Sequence, residues 1–135
     1  MGIPRGNSKE DLEHRKEIIS QVYRIWIKKN PDKRAFNCSL KDYINIRFLS
    51  ITETMRHAAK TYDSTCALLH LDTILREAVV YGKPKPAKKG VKNQKPFSKM
   101  IELRCELKGI GMAKMMVGVK SSGEMIQYCI TVVRT

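Results

Sequence analysis

The chain has 135 residues, a mass of 15.5 kDa and a formal net charge of +13. That length suits a single domain with one hydrophobic core, and no stretch approaches the roughly 20 apolar residues needed to span a bilayer. The four cysteines, Cys38, Cys66, Cys105 and Cys129, show no C-x-x-C or Cys/His zinc spacing, so no metal or other cofactor is expected and the thiols read as reduced, buried small hydrophobes.

The N-terminal Met1-Gly-Ile-Pro-Arg-Gly lacks the apolar run of a signal peptide, and Gly6 stands where a myristoylation signal wants Ser or Thr. A cytoplasmic location is expected. Ser8, followed by Glu10 and Asp11, marks a helix start with acids in the first turn. Leu12, Ile19, Val22, Tyr23 and Trp26 recur at helical spacing to about Lys29, and Asn30-Pro31 ends the run. Phe36 to Phe48 is mixed, although Tyr43-Ile-Asn-Ile-Arg-Phe48 alternates and predicts a short strand. Ser50-Ile-Thr-Glu53 has the form of a capping box, so a helix is expected to begin there, with Ile51, Met55, Ala58, Ala59 and Tyr62 as its apolar face. Asp63 is placed to cap another helix, and Leu68 to Val80 continues in helical fashion with a break near Leu71-Asp72.

Between Lys83 and Lys99 stand seven lysines and no acidic residue, which is more than half of the net charge. Such a block repels itself, buries almost nothing and gains most against polyphosphate. It reads as a flexible strap. Of the remaining charge, residues 1–47 carry +5, residues 48–82 carry −1 and residues 100–135 carry +2. A field so concentrated favours nucleic acid as partner over an acidic protein or mere solubility.

After the strap the period changes from 3.6 to 2. Ile101, Leu103, Cys105 and Leu107 alternate with Glu102, Arg104 and Glu106; Lys108-Gly-Ile-Gly111 is a turn. Ala113, Met115, Val117 and Val119 alternate with Lys114, Met116, Gly118 and Lys120. Ser122-Gly123 suits a two-residue hairpin loop, which pairs Val119 with Ile126, Val117 with Tyr128, Met115 with Ile130 and Ala113 with Val132. The expected fold class is α+β, with N-terminal helices packed on a C-terminal antiparallel three-stranded meander that a strand near 43–48 extends to four. Residues 1–135 form one domain, 1–42 being an N-terminal helix and connector and 43–133 the α+β unit. Arg104, Lys114, Lys120, Gln127 and Thr131 then occupy the outer face of the sheet, either as solvated residues or as a ligand surface.

Two stretches carry a resemblance. The first is Ser50-Ile-Thr-Glu-Thr-Met-Arg-His-Ala-Ala-Lys60 with Tyr62-Asp-Ser-Thr65 and Leu71-Asp-Thr-Ile-Leu-Arg-Glu-Ala-Val-Val80. The second is Leu107-Lys-Gly-Ile-Gly-Met-Ala-Lys-Met-Met-Val-Gly-Val-Lys120 with Ile126-Gln-Tyr-Cys-Ile-Thr131. In order and spacing they resemble phage- and mobile-element-associated members of the barnase–EndoU–colicin–RelE-like nuclease assemblage. The resemblance covers roughly residues 43–133. It implies a ribonuclease-like fold whose sheet face holds RNA, and metal-independent cleavage in which the 2′-hydroxyl is the nucleophile. Such a reaction needs a base, an acid and fixed cations for the phosphate.

Glu53, Arg56, His57 and Lys60 fall at i, i+3, i+4 and i+7 on one polar helix stripe, and a histidine titrating near neutrality suits proton transfer. The stripe equally suits a solvated face. His70 reads as a half-buried packing residue and His14 as solvent-exposed. On the sheet, Arg104 and Lys114 are the phosphate-binding candidates, Thr131 a hydroxyl opposite Lys114, and Gln127 a base-edge contact. Glu102 and Glu106 flank Arg104 and either serve as a general base or, the favoured reading, neutralise it. Tyr128 falls on the core side in this register and ranks lower. The expected catalytic set is therefore His57, Lys60, Arg104, Lys114 and Thr131. The nucleic-acid contacts are Lys83, Lys85, Lys88, Lys89, Lys92, Lys95, Lys120 and Gln127.

Three functions compete: an endoribonuclease acting on RNA, a non-catalytic nucleic-acid-binding relative, and a module that engages a host or immunity protein. No membrane partner is expected, and the sequence does not fix an oligomeric state. One geometric objection stands against the first. Helices that cover one face of a sheet do not readily reach its other face, so His57 and Arg104/Lys114 meet only if the helix comes round the sheet edge.

Overall fold

A computed structural model describes residues 2–133. Helix α1 (Lys9–Lys29) starts where Ser8 caps it, its hydroxyl accepting the Asp11 N–H at 3.1 Å, with Glu10 and Asp11 in the first turn and Lys28 and Lys29 in the last. Its apolar stripe, Ile19, Tyr23 and Trp26, is buried. One cation of this helix is withdrawn from the surface field. Arg15 is 1 % exposed and donates through Nε to the Ala59 carbonyl at 2.7 Å and through Nη1 to the carbonyls of Pro4 and Gly6.

Two short strands follow, β1 (Arg34–Asn37) and β2 (Asp42–Asn45), then helices α2 (Phe48–Ala58) and α3 (Tyr62–Ala67), a 3₁₀ turn at Leu68–His70 and α4 (Leu71–Glu77). Helix α2 begins two residues before Ser50. Ser50 sits inside the first turn and accepts the Arg47 N–H at 3.0 Å, so the cap uses the serine without Glu53. The expected helix to Val80 stops at Glu77; Val79–Val80 (β3) is extended and pairs with the meander. His70 is exposed rather than half-buried, because the 3₁₀ turn directs it outward at the break.

The sheet has seven strands among the described residues, not three or four. The meander is β5 (Lys99–Leu107), β6 (Gly111–Val119) and β7 (Met125–Val133). The order is β1-β2-β7-β6-β5-β3, and β4 (Lys85–Pro86) also pairs with β5. Strand β2, the expected extension, joins β7 in parallel at Asn45 and Ile126, where Asn45 Nδ2 donates to the Met125 carbonyl at 3.0 Å. The helices cover the face bearing Leu103, Met115, Val117 and Ile130, each buried side chain contributing roughly 1.5–3 kcal/mol. No helix among the described residues is long and apolar enough to cross a membrane.

The register departs from expectation in one half of the last hairpin. Met115–Ile130 and Ala113–Val132 pair as expected, but Val117 lies opposite Gln127 and Val119 opposite Met125. Two irregularities produce this. Lys120 N–H donates to the Glu124 carbonyl at 2.9 Å, leaving three loop residues instead of two, with Gly123 at φ +93. A β-bulge beside Met116 then takes up the extra residue, Tyr128. The bulge rotates Gln127 into the core and Tyr128 onto the outer face. Gln127, 0 % exposed, joins a polar ring: Tyr23 O–H donates to Gln127 Oε1, Gln127 Nε2 donates to Thr54 Oγ1 at 3.0 Å, and Thr54 Oγ1 lies 3.1 Å from Tyr23 Oη. That ring ties α1, α2 and β7 together. Burial raises the Tyr23 phenol well above its ordinary range, so the ring is uncharged.

Past Ile126, the outer edge of β7 is covered by α2 and α3 rather than by another strand. Ser64 Oγ accepts the Val132 N–H at 2.9 Å, and the Cys129 thiol lies 3.8 Å from the Glu53 carbonyl. Helix α2 thus runs along the sheet edge, with Thr54 and Ala58 facing the core and Glu53 and His57 turned toward the outer face.

The lysine strap is not free. It folds over the outer face through a second apolar cluster of Phe97, Met100, Ile126, Tyr128 and Cys129. Phe97 meets Tyr128 edge-on at 6.2 Å between ring centroids and lies against Gly118, where a side-chain carbon would fall 2.6 Å from the ring. Gln94, also buried, accepts the Lys88 N–H at 2.8 Å. The lysines remain exposed while these two residues anchor the segment.

Candidate functional site

Between the strap, the outer face of the meander and the edge helix α2 lies a cavity of about 810 Å³. Its floor is Met100, Glu102, Lys114, Met116, Cys129 and Thr131. One wall is α2 with Glu53, Arg56 and His57; the other is the chain from Tyr81 to Gln94. Six lysine and arginine side chains line it against two carboxylates, so the cavity is cationic. This is the arrangement the geometric objection demanded. Helix α2 reaches the outer face because it occupies the sheet edge.

Of the expected catalytic residues, His57, Lys114 and Thr131 line this cavity. Lys114 and Thr131 face each other across β6 and β7. Arg104 shares their face, opposite Lys114 on β5, but stands outside the lining. Its Nε donates to Glu102 Oε2 at 2.7 Å and its guanidinium lies 3.6 Å from the centroid of the Tyr81 ring. Lys60 follows the end of α2, exposed and outside the lining.

Among the expected nucleic-acid contacts, Lys83, Lys85, Lys88 and Lys92 line the cavity, while Lys89 and Lys95 are exposed elsewhere on the strap. Lys120 lies at the hairpin turn, 3.2 Å from Glu124, and does not reach the cavity. Gln127 has no access to a ligand, since the bulge buries it in the polar ring. Glu106 is exposed at the far end of β5, opposite Met112.

Two residues take the places that these vacate. Tyr128, expected on the core side, lines the cavity because it is the bulged residue. Glu53, read in the sequence both as half of a cap and as part of the polar stripe with His57, is 4 % exposed and accepts from Asn93 Nδ2 at 2.8 Å, which fastens the strap to α2. Its carboxylate oxygens stand 3.7 Å from His57 Nε2 and 3.7 Å from Arg56 Nη1, beyond good hydrogen-bond length.

The titrating groups fall into complementary states. Burial first, then the cations Lys60 and Arg56, push His57 below 6.5, with Glu53 pulling the other way. At neutral pH its imidazole is uncharged and free to accept a proton. Tyr128 is pushed above 10.0, chiefly by burial and further by Glu53, with Gln94 opposing, so its phenol keeps its proton. Burial and Glu53 push the Cys129 thiol up to about 12, although Lys114 and Lys60 pull against them. As a thiol rather than a thiolate it is a poor nucleophile. The cavity therefore holds a proton acceptor, a proton donor and several fixed cations. Among the described residues no group of three or more His, Cys, Asp or Glu side chains converges as a metal would require.

Comparison of the chain with protein-family models, curated proteins and solved structures finds no match.

Proposed function

We propose that this protein is a metal-independent endoribonuclease of the barnase–EndoU–colicin–RelE-like kind, of phage or mobile-element origin, and that it works on RNA in the cavity beneath the lysine strap. The observation that carries this reading is the meeting, in one cationic cavity, of an uncharged histidine from α2, a protonated phenol from β7 and the Lys114–Thr131 pair from the sheet. A cytoplasmic location accompanies it, consistent with four free cysteines.

In this reaction His57 takes the proton of a ribose 2′-hydroxyl as that oxygen attacks the adjacent phosphorus. The bond from phosphorus to the 5′-oxygen breaks, and Tyr128 gives that oxygen its proton. The products are a 2′,3′-cyclic phosphate and a 5′-hydroxyl. Lys114 and the Thr131 hydroxyl hold the non-bridging oxygens where charge accumulates, and the strap lysines bind the flanking phosphates. Positioned acid–base catalysis of this kind contributes about 10²–10⁴-fold in rate per residue.

The test is cleavage of an end-labelled single-stranded RNA without added metal. Wild type is expected to cut, with His57→Ala and Lys114→Ala each slower by at least about 10²-fold. Wild-type activity that survives both substitutions refutes the assignment. RNA binding without cleavage returns the non-catalytic reading. A stable protein complex with no RNA affinity returns the host- or immunity-protein reading.

A further inference from the structure

We infer that Tyr81, backed by Arg104, is a stacking platform for one unpaired nucleobase at the rim of the cavity, which makes single-stranded rather than duplex nucleic acid the preferred ligand. This inference rests on the proposed nucleic-acid function of the same cavity.

Three tyrosine rings carry an arginine on one side: half-buried Tyr62 with Arg5, and exposed Tyr43 with Arg34 and Tyr81 with Arg104. Only the last lines the cationic cavity. Its geometry is also the most constrained of the three. The Arg104 guanidinium lies 3.6 Å from the ring centroid and is held from behind by Glu102 at 2.7 Å, while the Tyr81 backbone N–H donates to the Glu102 carbonyl at 2.8 Å. The ring is therefore fixed to strand β5 through both its backbone and its covered side. Even so, Tyr81 is 53 % exposed.

An aromatic residue this exposed and this rigid, beside a row of lysines, has the two parts that sequence-tolerant single-strand binding requires. Cations track the backbone and a π-face receives a base. Stacked between base and guanidinium, the phenol gains from both neighbours. A duplex keeps its bases stacked on one another and presents only phosphates, so it engages the lysines without the ring. Gly82, at φ +75, turns the chain immediately after Tyr81 and leads it into Lys83, placing ring and first lysine in sequence along one rim.

The experiment measures binding of a non-cleavable 2′-O-methyl RNA hexamer by fluorescence anisotropy across a salt series, using the full chain. Tyr81→Ala is expected to weaken hexamer binding by about 5-fold or more, with Tyr81→Phe within about twofold of wild type. The salt slope should not change, because no charge is removed. Tyr43→Ala, at the opposite edge of the sheet, should bind as wild type does. A blunt RNA duplex of the same length should bind wild type and Tyr81→Ala alike. Wild-type hexamer affinity in Tyr81→Ala, or equal loss with hexamer and duplex, overturns the platform while leaving RNA binding intact. So does equal affinity of wild type for the hexamer and for its abasic counterpart. Absence of any hexamer binding by wild type removes both the platform and the RNA reading.

Discussion

Replacing Gly118 with alanine tests how the lysine strap is anchored. A Cβ at this position lands 2.6 Å from three atoms of the Phe97 ring, whereas carbon atoms pack at about 3.5–4.0 Å. The ring, 6 % exposed and braced against Tyr128, must retreat by about 1 Å, and overpacking of that size costs about 1–3 kcal/mol. Removing a glycine from the unfolded chain returns about 0.4–1 kcal/mol. The net expectation is a loss of about 1–2 kcal/mol, or roughly 4–7 °C in Tm for a chain of this size. Phe97→Ala alone should cost about 3–5 kcal/mol. In that background the added methyl meets no ring, so Gly118→Ala becomes neutral or slightly stabilising. The coupling between the two sites, read from urea unfolding of the four proteins, should be about 1–3 kcal/mol. Tryptic cleavage within 83–99 should quicken in either single variant. Additive effects, or a Gly118→Ala protein more stable than wild type, would show that Phe97 does not pin the strap where the structure has it.

Tyr23→Phe removes the O–H that satisfies Gln127 Oε1 and should cost about 1–3 kcal/mol by thermal unfolding, since the amide oxygen is left buried and unpaired. Cys129, with its thiol near 12 and buried, should resist iodoacetamide at pH 8 while exposed Cys38 is labelled, as mass spectrometry will record. Because Cys129 ordinarily ionises at 9.0 and is raised in the folded protein, the unfolded chain gives up that proton first. Stability should therefore fall as pH rises from about 9, and Tyr23 and Tyr128 add to the fall above 10.0; denaturant midpoints against pH measure it. Cleavage needs uncharged His57 and protonated Tyr128, so kcat/KM should decline with acid only below pH 6.5, decline with base only above 10.0, and stay flat between.

Much of the scaffold is legible in the residues themselves. Ser8, the Ile19–Tyr23–Trp26 spacing and the switch to period 2 after Lys99 identify α1 and the meander, because each is a local pattern with a local cause. Short strands β1, β3 and β4 escape notice, since two to four residues carry too little periodicity and owe their form to the neighbour they pair with. In the cavity, His57, Lys114 and Thr131 are recognisable as polar residues in amphipathic patterns, and four strap lysines as members of an acid-free charge run. Glu53 is legible on the polar stripe beside His57, but its capping role is a misreading, because a carboxylate three residues after a serine satisfies that pattern without any tertiary contact. Gln127 and Tyr128 are exchanged because alternation assumes an unbroken ladder, and nothing local announces a bulge. Phe97 and Gln94 are overlooked in a segment whose charge dominates its reading.

The three-residue loop at 121–123 and the bulge at Tyr128 are equal and opposite offsets, so the far half of the hairpin keeps the register of an unbroken ladder. The same chain closed by a two-residue loop at Ser122-Gly123 would set Val119 opposite Ile126 and need no bulge to reach the Met115–Ile130 pair. The straightened ribbon would swing its glutamine outward and its phenol inward, trading a proton donor for an amide without altering one cavity-lining codon. Turn length is thus the selector of what chemistry this sheet presents.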